Sequence, residues 1–197
     1  MNVFQPDSLI LASTSARRRS LLEQAGYYFR VVKPLFEEPP TPQHHFSPAG
    51  HAESMAFFKV ASLSHLQHDS VLLGADTIAV VGDELIGKPV NRDDARRILQ
   101  RLAATTHSVI TGVSLLRPST GRRMIRHDVT QLRVRPISST AIEAYLDTGA
   151  WQGKAGAYGI QDQDDPFVER LEGSFSNVVG LPMELLAKML AEFGNGD

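Results

Sequence analysis

Val71 to Pro89 reads VLLGADTIAVVGDELIGKP, and this stretch decides the class of fold. Val71, Leu72 and Leu73 form a short apolar run, the pattern of a strand buried on both faces. Gly74 ends that run, which leaves Asp76 where the strand opens. Ile78 to Val81 is apolar again, and Gly82-Asp83 is a hairpin turn signal before Glu84-Leu85-Ile86. Lys88-Pro89 lies at the return end of the hairpin, where an ammonium can come near the carboxylate. A carboxylate fixed by backbone on both sides is what metal-assisted hydrolysis requires. A turn acid and a solvated lysine would have the same spelling.

Upstream, Ser8 to Ser13 (SLILAS) is a strand candidate. Ser15 can cap a helix over Ala16 to Ala25, with Leu21, Leu22 and Ala25 at helical spacing and Gly26 as terminator. Arg17, Arg18 and Arg19 then fall in the first helical turn. Cations there oppose the macrodipole at a cost of a few tenths of a kcal/mol or more. A docked anion would reverse that cost, because free N–H groups and guanidinium forks would bind it together. Solvation, or pairing with acids elsewhere, is the alternative.

Tyr27 to Lys33 (YYFRVVK) has strand composition. Glu37 and Glu38 precede an extended loop containing Pro39, Pro40 and Pro42, and these acids could hold a metal or form a solvated tip. Ser47-Pro48 opens a helix running to about Leu66, with Met55, Phe58 and Leu63 on its pattern. Lys59 among them is expected to snorkel, unless its head reaches a cleft.

Downstream, Asn91 caps an amphipathic helix to about Ala103, with Ala95, Ile98, Leu99 and Leu102 as its apolar stripe and solvated arginines opposite. His107 to Leu116 and Arg122 to Arg135 read as paired strands. Thr140 and Glu143 have capping-box spacing at the start of the next helix. Gly153 to Gln161 (GKAGAYGIQ) packs three glycines around Lys154 and Tyr158, suiting close approach to a ligand or tight turns. Phe167 to Leu171 and Asn177 to Val179 suggest a short hairpin, and a terminal helix follows Leu181-Pro182.

With 197 residues, 42% hydrophobic and 21% charged, one soluble domain over 1–197 is expected. The net charge of -2 gives no general field for nucleic acid. The absence of cysteine removes disulfides, thiolate metal sites and Cys nucleophiles. No apolar run approaches the roughly 20 residues of a membrane span, and the start lacks a signal-peptide pattern, so the cytoplasm is expected. HExxH, GxSxG and GxxxxGK[ST] are all missing, so phosphates must be held by arginines, lysines and the first helix terminus.

LILASTSARRRSLLEQAG, GADTIAVVGDELIGKP, KAGAYGIQ and FVERLEGSFSNVVGLP, in that order along nearly the whole chain, resemble the Maf family of nucleoside triphosphate pyrophosphatases. The resemblance implies an α/β fold with an elongated, twisted mixed sheet flanked by helices and two lobes around a deep cleft, as in the inosine-triphosphatase-like fold. It implies hydrolysis of a nucleoside triphosphate to monophosphate and pyrophosphate, aided by a divalent metal (Mg²⁺ or Mn²⁺), in a homodimer. Asp76 matches the catalytic proton acceptor, and Glu38 with Asp76 the metal position. Ser13, Arg17, Arg18, Lys59 and Lys88 match substrate contacts, and Arg17, Thr77 and Gln161 positions tied to base selectivity. KAGAYGIQ and GSFSNVVGLP look like the dTTP/UTP branch, although QDQDDPF departs from the glycine-rich spelling usual there. The alternatives are the 7-methyl-GTP branch and a nucleotide-binding regulator of septum formation.

Overall fold

Strand β3 (Val71–Val81) runs without a break through Gly74 and Asp76. The structure, a computed structural model, describes residues 6–37, 47–160 and 167–194. Asp76 is therefore not at a strand end: it sits mid-strand, opposite Gly112 of β5 (Thr106–Arg117). Gly74 looks like a terminator in sequence, but its function is to leave space. A Cβ on Gly74 would meet Val60 Cγ1 at 2.8 Å and the Ala56 carbonyl closer still. A Cβ on Gly112 would meet Glu53 N at 2.6 Å and the Ala52 carbonyl closer still. These contacts come from helix α2 (Pro48–Ala61), whose backbone lies directly on the two strands. Ser47 caps that helix and Pro48 takes its first turn, as the sequence requires. Met55 and the following Leu63 are buried, whereas Phe58 stands half out of the fold.

The seven-stranded mixed sheet has the order β2–β1–β3–β5–β6–β7, with β4 on the free edge of β3. Strands β1 (Leu9–Ala12) and β2 (Arg30–Val32) are parallel to the first part of β3; all later pairings are antiparallel. Strand β2 is shorter than its aromatic run suggests, because only Arg30 to Val32 finds a partner in β1. Alternation along β3 divides the core. Leu72 and Val80 face α2. Leu73 and Ala75 face a cluster with α1 (Ala16–Gln24) and α6 (Met183–Gly194). Ala79 belongs to a separate cluster with α3 (Arg92–Leu102), α4 (Ser139–Asp147) and Phe167. Thr77 falls between these last two.

The uncovered edge of β3 creates the site. On that side β1 pairs only with residues 71–73, and β4 (Glu84–Ile86) only with residues 79–81. Among the described residues no strand lies beside 74–78 there, so side chains from both faces can reach one opening.

Local readings change where tertiary partners intervene. Ser138, not Thr140, caps α4, and Glu143 is taken by Arg92 and Arg96. The arginines of α3 are not merely solvated: Arg92 reaches Glu143 at 2.9 Å and Asp147 at 2.7 Å, and Arg101 reaches Glu84 at 2.5 Å. Each exposed pair contributes little energy, but together they orient α3 against α4 and β4. The suggested hairpin after Phe167 is strand β7 (Val168–Glu172), paired with β6 (Arg122–Val134), followed by a short helix, α5 (Phe175–Val179), capped by Ser174.

The approach of α2 predicts that Gly112→Ala, which must push backbone away, destabilises the fold by about 3 kcal/mol. Thermal unfolding should show a fall of roughly 6–12 °C for a chain of this size. An unchanged melting point would mean that α2 lies farther from the sheet.

Candidate active site

A cavity of about 790 Å³ opens at the bare edge of β3 and brings together Ser13, Arg17, Arg18, Lys59, Asp76, Thr77 and Lys88. Glu38 and Gln161 lie outside the described residues. Lys33, His107, Lys154 and Tyr158 also line it. Lys154 and Tyr158 stand in the glycine-rich segment flagged in sequence. Lys33 and His107 were legible only as ends of strands, because no local motif marks them.

Strand β1 delivers Ser13 to the foot of α1. Ser13 Oγ accepts from the Ser15 amide at 3.2 Å and from Arg18 Nη1 at 3.3 Å. Ser15 caps α1 by accepting from the Arg18 amide. Arg18 is a bolt across the fold: Nε donates to the Gly180 carbonyl at 2.8 Å, and Nη2 to Thr77 Oγ1 at 3.1 Å. The three arginines expected to act together therefore divide. Arg19 turns outward to Glu23 at 2.7 Å, Arg18 is held in place, and Arg17 is exposed on the cavity wall.

Lys59 does not snorkel. Its side chain is buried and its ammonium donates to Asp76 Oδ1 at 2.6 Å, with the Ala75 carbonyl 3.5 Å away. The close seating of α2 over Gly74 and Gly112 explains this inward path, since the stem has only a short gap to cross. Asp76 is itself 8% exposed. Such a pair is stable only when charges and hydrogen bonds are mutually satisfied.

Six cationic side chains (Arg17, Arg18, Lys33, Lys59, Lys88, Lys154) line the cavity against one described carboxylate, Asp76. A concave site with that imbalance concentrates a polyanion. Three residues farther along β3, roughly 10 Å away at strand rise, the lining becomes apolar. Ala79 faces Val109 across the ladder, and both line the cavity with Ile160 and Val178. His107 Nε2 is 2.9 Å from the Tyr158 hydroxyl, and the rings meet edge-on at 5.8 Å. Burial lowers the His107 pKa to about 4, so its imidazole is neutral near pH 7.

The chain matches the Maf-like protein family over residues 8–193. It belongs to the Maf family. Among its relatives, a protein of Pelotomaculum thermopropionicum named dTTP/UTP pyrophosphatase is 38% identical over 186 residues, covering 94% of this chain and 96% of the relative. One of Symbiobacterium thermophilum with the same name is 41% identical over 186 residues, covering 94% of each. In fold, the Maf chain is similar to a HAM1 protein of Coxiella burnetii, with a TM-score of 0.52 at 12% identity, covering 94% of this chain and 98% of that one. The mixed sheet flanked by helices is thus shared well beyond recognisable sequence. Among the described residues no helix is long and apolar enough to cross a membrane.

The buried imidazole has a pH signature. The pKa of His107 in the fold, about 4, lies below its ordinary 6.5, so the unfolded chain binds the extra proton between those values. Its contribution to stability is full above pH 6.5 and is lost as pH falls toward 4, by up to about 3 kcal/mol. Denaturant unfolding at pH 7 and pH 4.5 should show a smaller drop for His107→Phe than for the parent. Equal drops would assign the acid sensitivity to other groups.

Proposed function

We propose that this chain is a nucleoside triphosphate pyrophosphatase that hydrolyses dTTP and UTP to the monophosphate and pyrophosphate. One observation carries the reading: a cavity with six cations surrounds a single described carboxylate that Lys59 holds from behind. The names of the relatives, at 38% and 41% identity over nearly the full length of each chain, support the same substrates.

In this reading the triphosphate lies along the cationic wall and the base lies toward Ala79 and Val109. Water attacks the α-phosphorus, the bond from that phosphorus to the bridging oxygen breaks, and pyrophosphate leaves with the electron pair. Asp76 orients the water and accepts its proton. Lys59 fixes the carboxylate so that it points to one spot. Arg17, Arg18 and Lys88 stabilise the charge that grows on the leaving pyrophosphate. Arg18 is already anchored to Ser13, Thr77 and Gly180, so little reorganisation accompanies its action. The family resemblance also ties the positions of Arg17, Thr77 and Gln161 to base selectivity.

A divalent cation, Mg²⁺ or Mn²⁺, is part of the proposal. Among the described residues no three His, Cys, Asp or Glu side chains converge. One or two carboxylates plus substrate phosphates is nevertheless the usual way Mg²⁺ is held, and Asp76 in a phosphate-sized cleft fits it. Asp76 would hold the ion, with Glu38. When bound, the ion neutralises phosphate oxygens. The homodimer and the cytoplasmic location belong to the same reading, the first from the family resemblance and the second from the sequence expectation, with which the cysteine-free composition agrees.

Product analysis over a panel of triphosphates tests the activity. dTTP and UTP should give monophosphate and pyrophosphate in equal amounts, and release of orthophosphate alone would refute the reaction. Asp76→Asn should lower turnover on the order of 10³-fold or more. It also strands the Lys59 ammonium in the interior, so the Lys59→Met/Asp76→Asn pair should melt higher than Asp76→Asn alone yet remain inactive. Near-parental turnover in either variant would move the proton acceptor to another acid.

A further inference from the structure

Lys154 ends the approach to a tight turn over Ala155–Ala157 and lines the cavity. Two features constrain the path of its side chain. Gly156 is in the left-handed region at φ 75°, where a Cβ would come into contact with Leu102, Ala79 and Tyr158, and its amide donates to the Gly87 carbonyl at 3.3 Å. That bond ties the turn to the residue before Lys88, so two lysines on separate loops are fastened to one wall. The second feature is Gly159. Its backbone is not in the left-handed region, so conformation does not demand glycine there. Space does: a Cβ would lie 2.7 Å from Lys154 Nζ, 3.0 Å from Cε and 3.1 Å from Cδ.

The contrast with Gly74 and Gly112 is informative. There an added methyl strikes backbone that cannot yield. At Gly159 the three nearest atoms all belong to the far part of the Lys154 side chain, so alanine costs the fold little and moves the ammonium instead. We infer that Lys154 is a further binding residue for the polyphosphate of the nucleotide, acting with Lys88, and that Gly159 is a positioning residue whose missing side chain seats the Lys154 head. The inference rests on the proposed pyrophosphatase reaction and adds two residues to it. A polyphosphate suits the pair because it offers several oxygens along one line, whereas a base edge offers one or two acceptors.

The test is a double-mutant cycle on the full chain, read as kcat/KM for dTTP, UTP and a purine triphosphate, with calorimetric binding of inorganic pyrophosphate alongside. Lys154→Met should lower kcat/KM on the order of 10- to 100-fold for all three nucleotides alike and weaken pyrophosphate binding. Lys154→Arg should recover part of the loss. Gly159→Ala should cost roughly 10-fold with an almost unchanged melting temperature, the expected result of a displaced charge. Combining Gly159→Ala with Lys154→Met should do no further harm, because the ammonium is already gone. Additive losses would overturn the role of Gly159. A change in the dTTP-to-purine ratio with pyrophosphate binding intact would assign Lys154 to the base and overturn its phosphate role, as would parental kinetics in Lys154→Met. If the parent protein releases no pyrophosphate from any nucleotide, the reaction itself is wrong, and pyrophosphate binding by the parent and by Lys154→Met still decides the lysine.

Discussion

Helix α2 meets the sheet through backbone, and the rest of the site depends on that closeness. With Gly74 and Gly112 beneath it, the Ala52 and Ala56 carbonyls rest where side chains would otherwise stand. The turn after Ala56 then carries Lys59 down onto Asp76. Any larger residue at either glycine would lift the helix, and the ammonium would lose its reach to the carboxylate. The pair so formed is no bargain thermodynamically. A buried ion pair often contributes no more than well-packed apolar residues of the same volume, and removing one partner is costly. Its presence beside Met55, Ala56 and Val60 on the buried side of α2 is thus better explained by chemistry than by stability.

The sheet supplies the second constraint. Because β1 and β4 cover only the two ends of one edge of β3, the middle of that strand presents both of its faces to a single opening. Asp76 points to the α2 side and Thr77 to the other. Thr77 is fixed by a buried polar chain: its hydroxyl meets Thr111 at 2.9 Å, Thr111 donates to the Asn177 carbonyl, and the Asn177 amide donates to Thr130 and to the Val109 carbonyl. This chain clamps α5 against β5 and β6, which in turn sets the Gly180 carbonyl that receives Arg18. Charge and scaffold are joined there, with the guanidinium anchored to Ser13, Thr77 and Gly180.

Sequence carried the elements and much of the site, because caps, turns and strand patterns are local. Ser15, Ser47 and Asn91 all cap as their spacing requires, and Gly82-Asp83 turns the β3–β4 hairpin. The unfavourable arginines at the start of α1 pointed to the cavity before any geometry did. What failed was nonlocal. Gly74 reads as a strand terminator because nothing in its neighbours announces a helix fifteen or so residues upstream lying on it. Lys59 reads as snorkelling because its carboxylate partner belongs to another element. Arg92 and Arg96 read as solvated because Glu143 and Asp147 of α4 lie far along the chain, and Arg101 because Glu84 belongs to another element. His107 and Lys33 carry no motif, and only the fold brings them to the wall.

The distribution of charge narrows what the cavity can accept. Six cations and one described carboxylate meet there, in a chain whose formal charge is -2. The remainder of the molecule is therefore net acidic. A long nucleic acid entering the cleft would continue onto that acidic remainder and lose the attraction that drives phosphate-backbone binding. In the proposed reading a mononucleotide ends within the cavity, its phosphates on the cations and its base roughly one strand segment farther along, toward Ala79, Val109 and the neutral His107–Tyr158 pair. The neutrality of that imidazole matters to the fit. A protonated ring at the apolar end would draw phosphate oxygens away from Asp76, whereas a neutral one leaves the cationic wall as the strongest anchor for them.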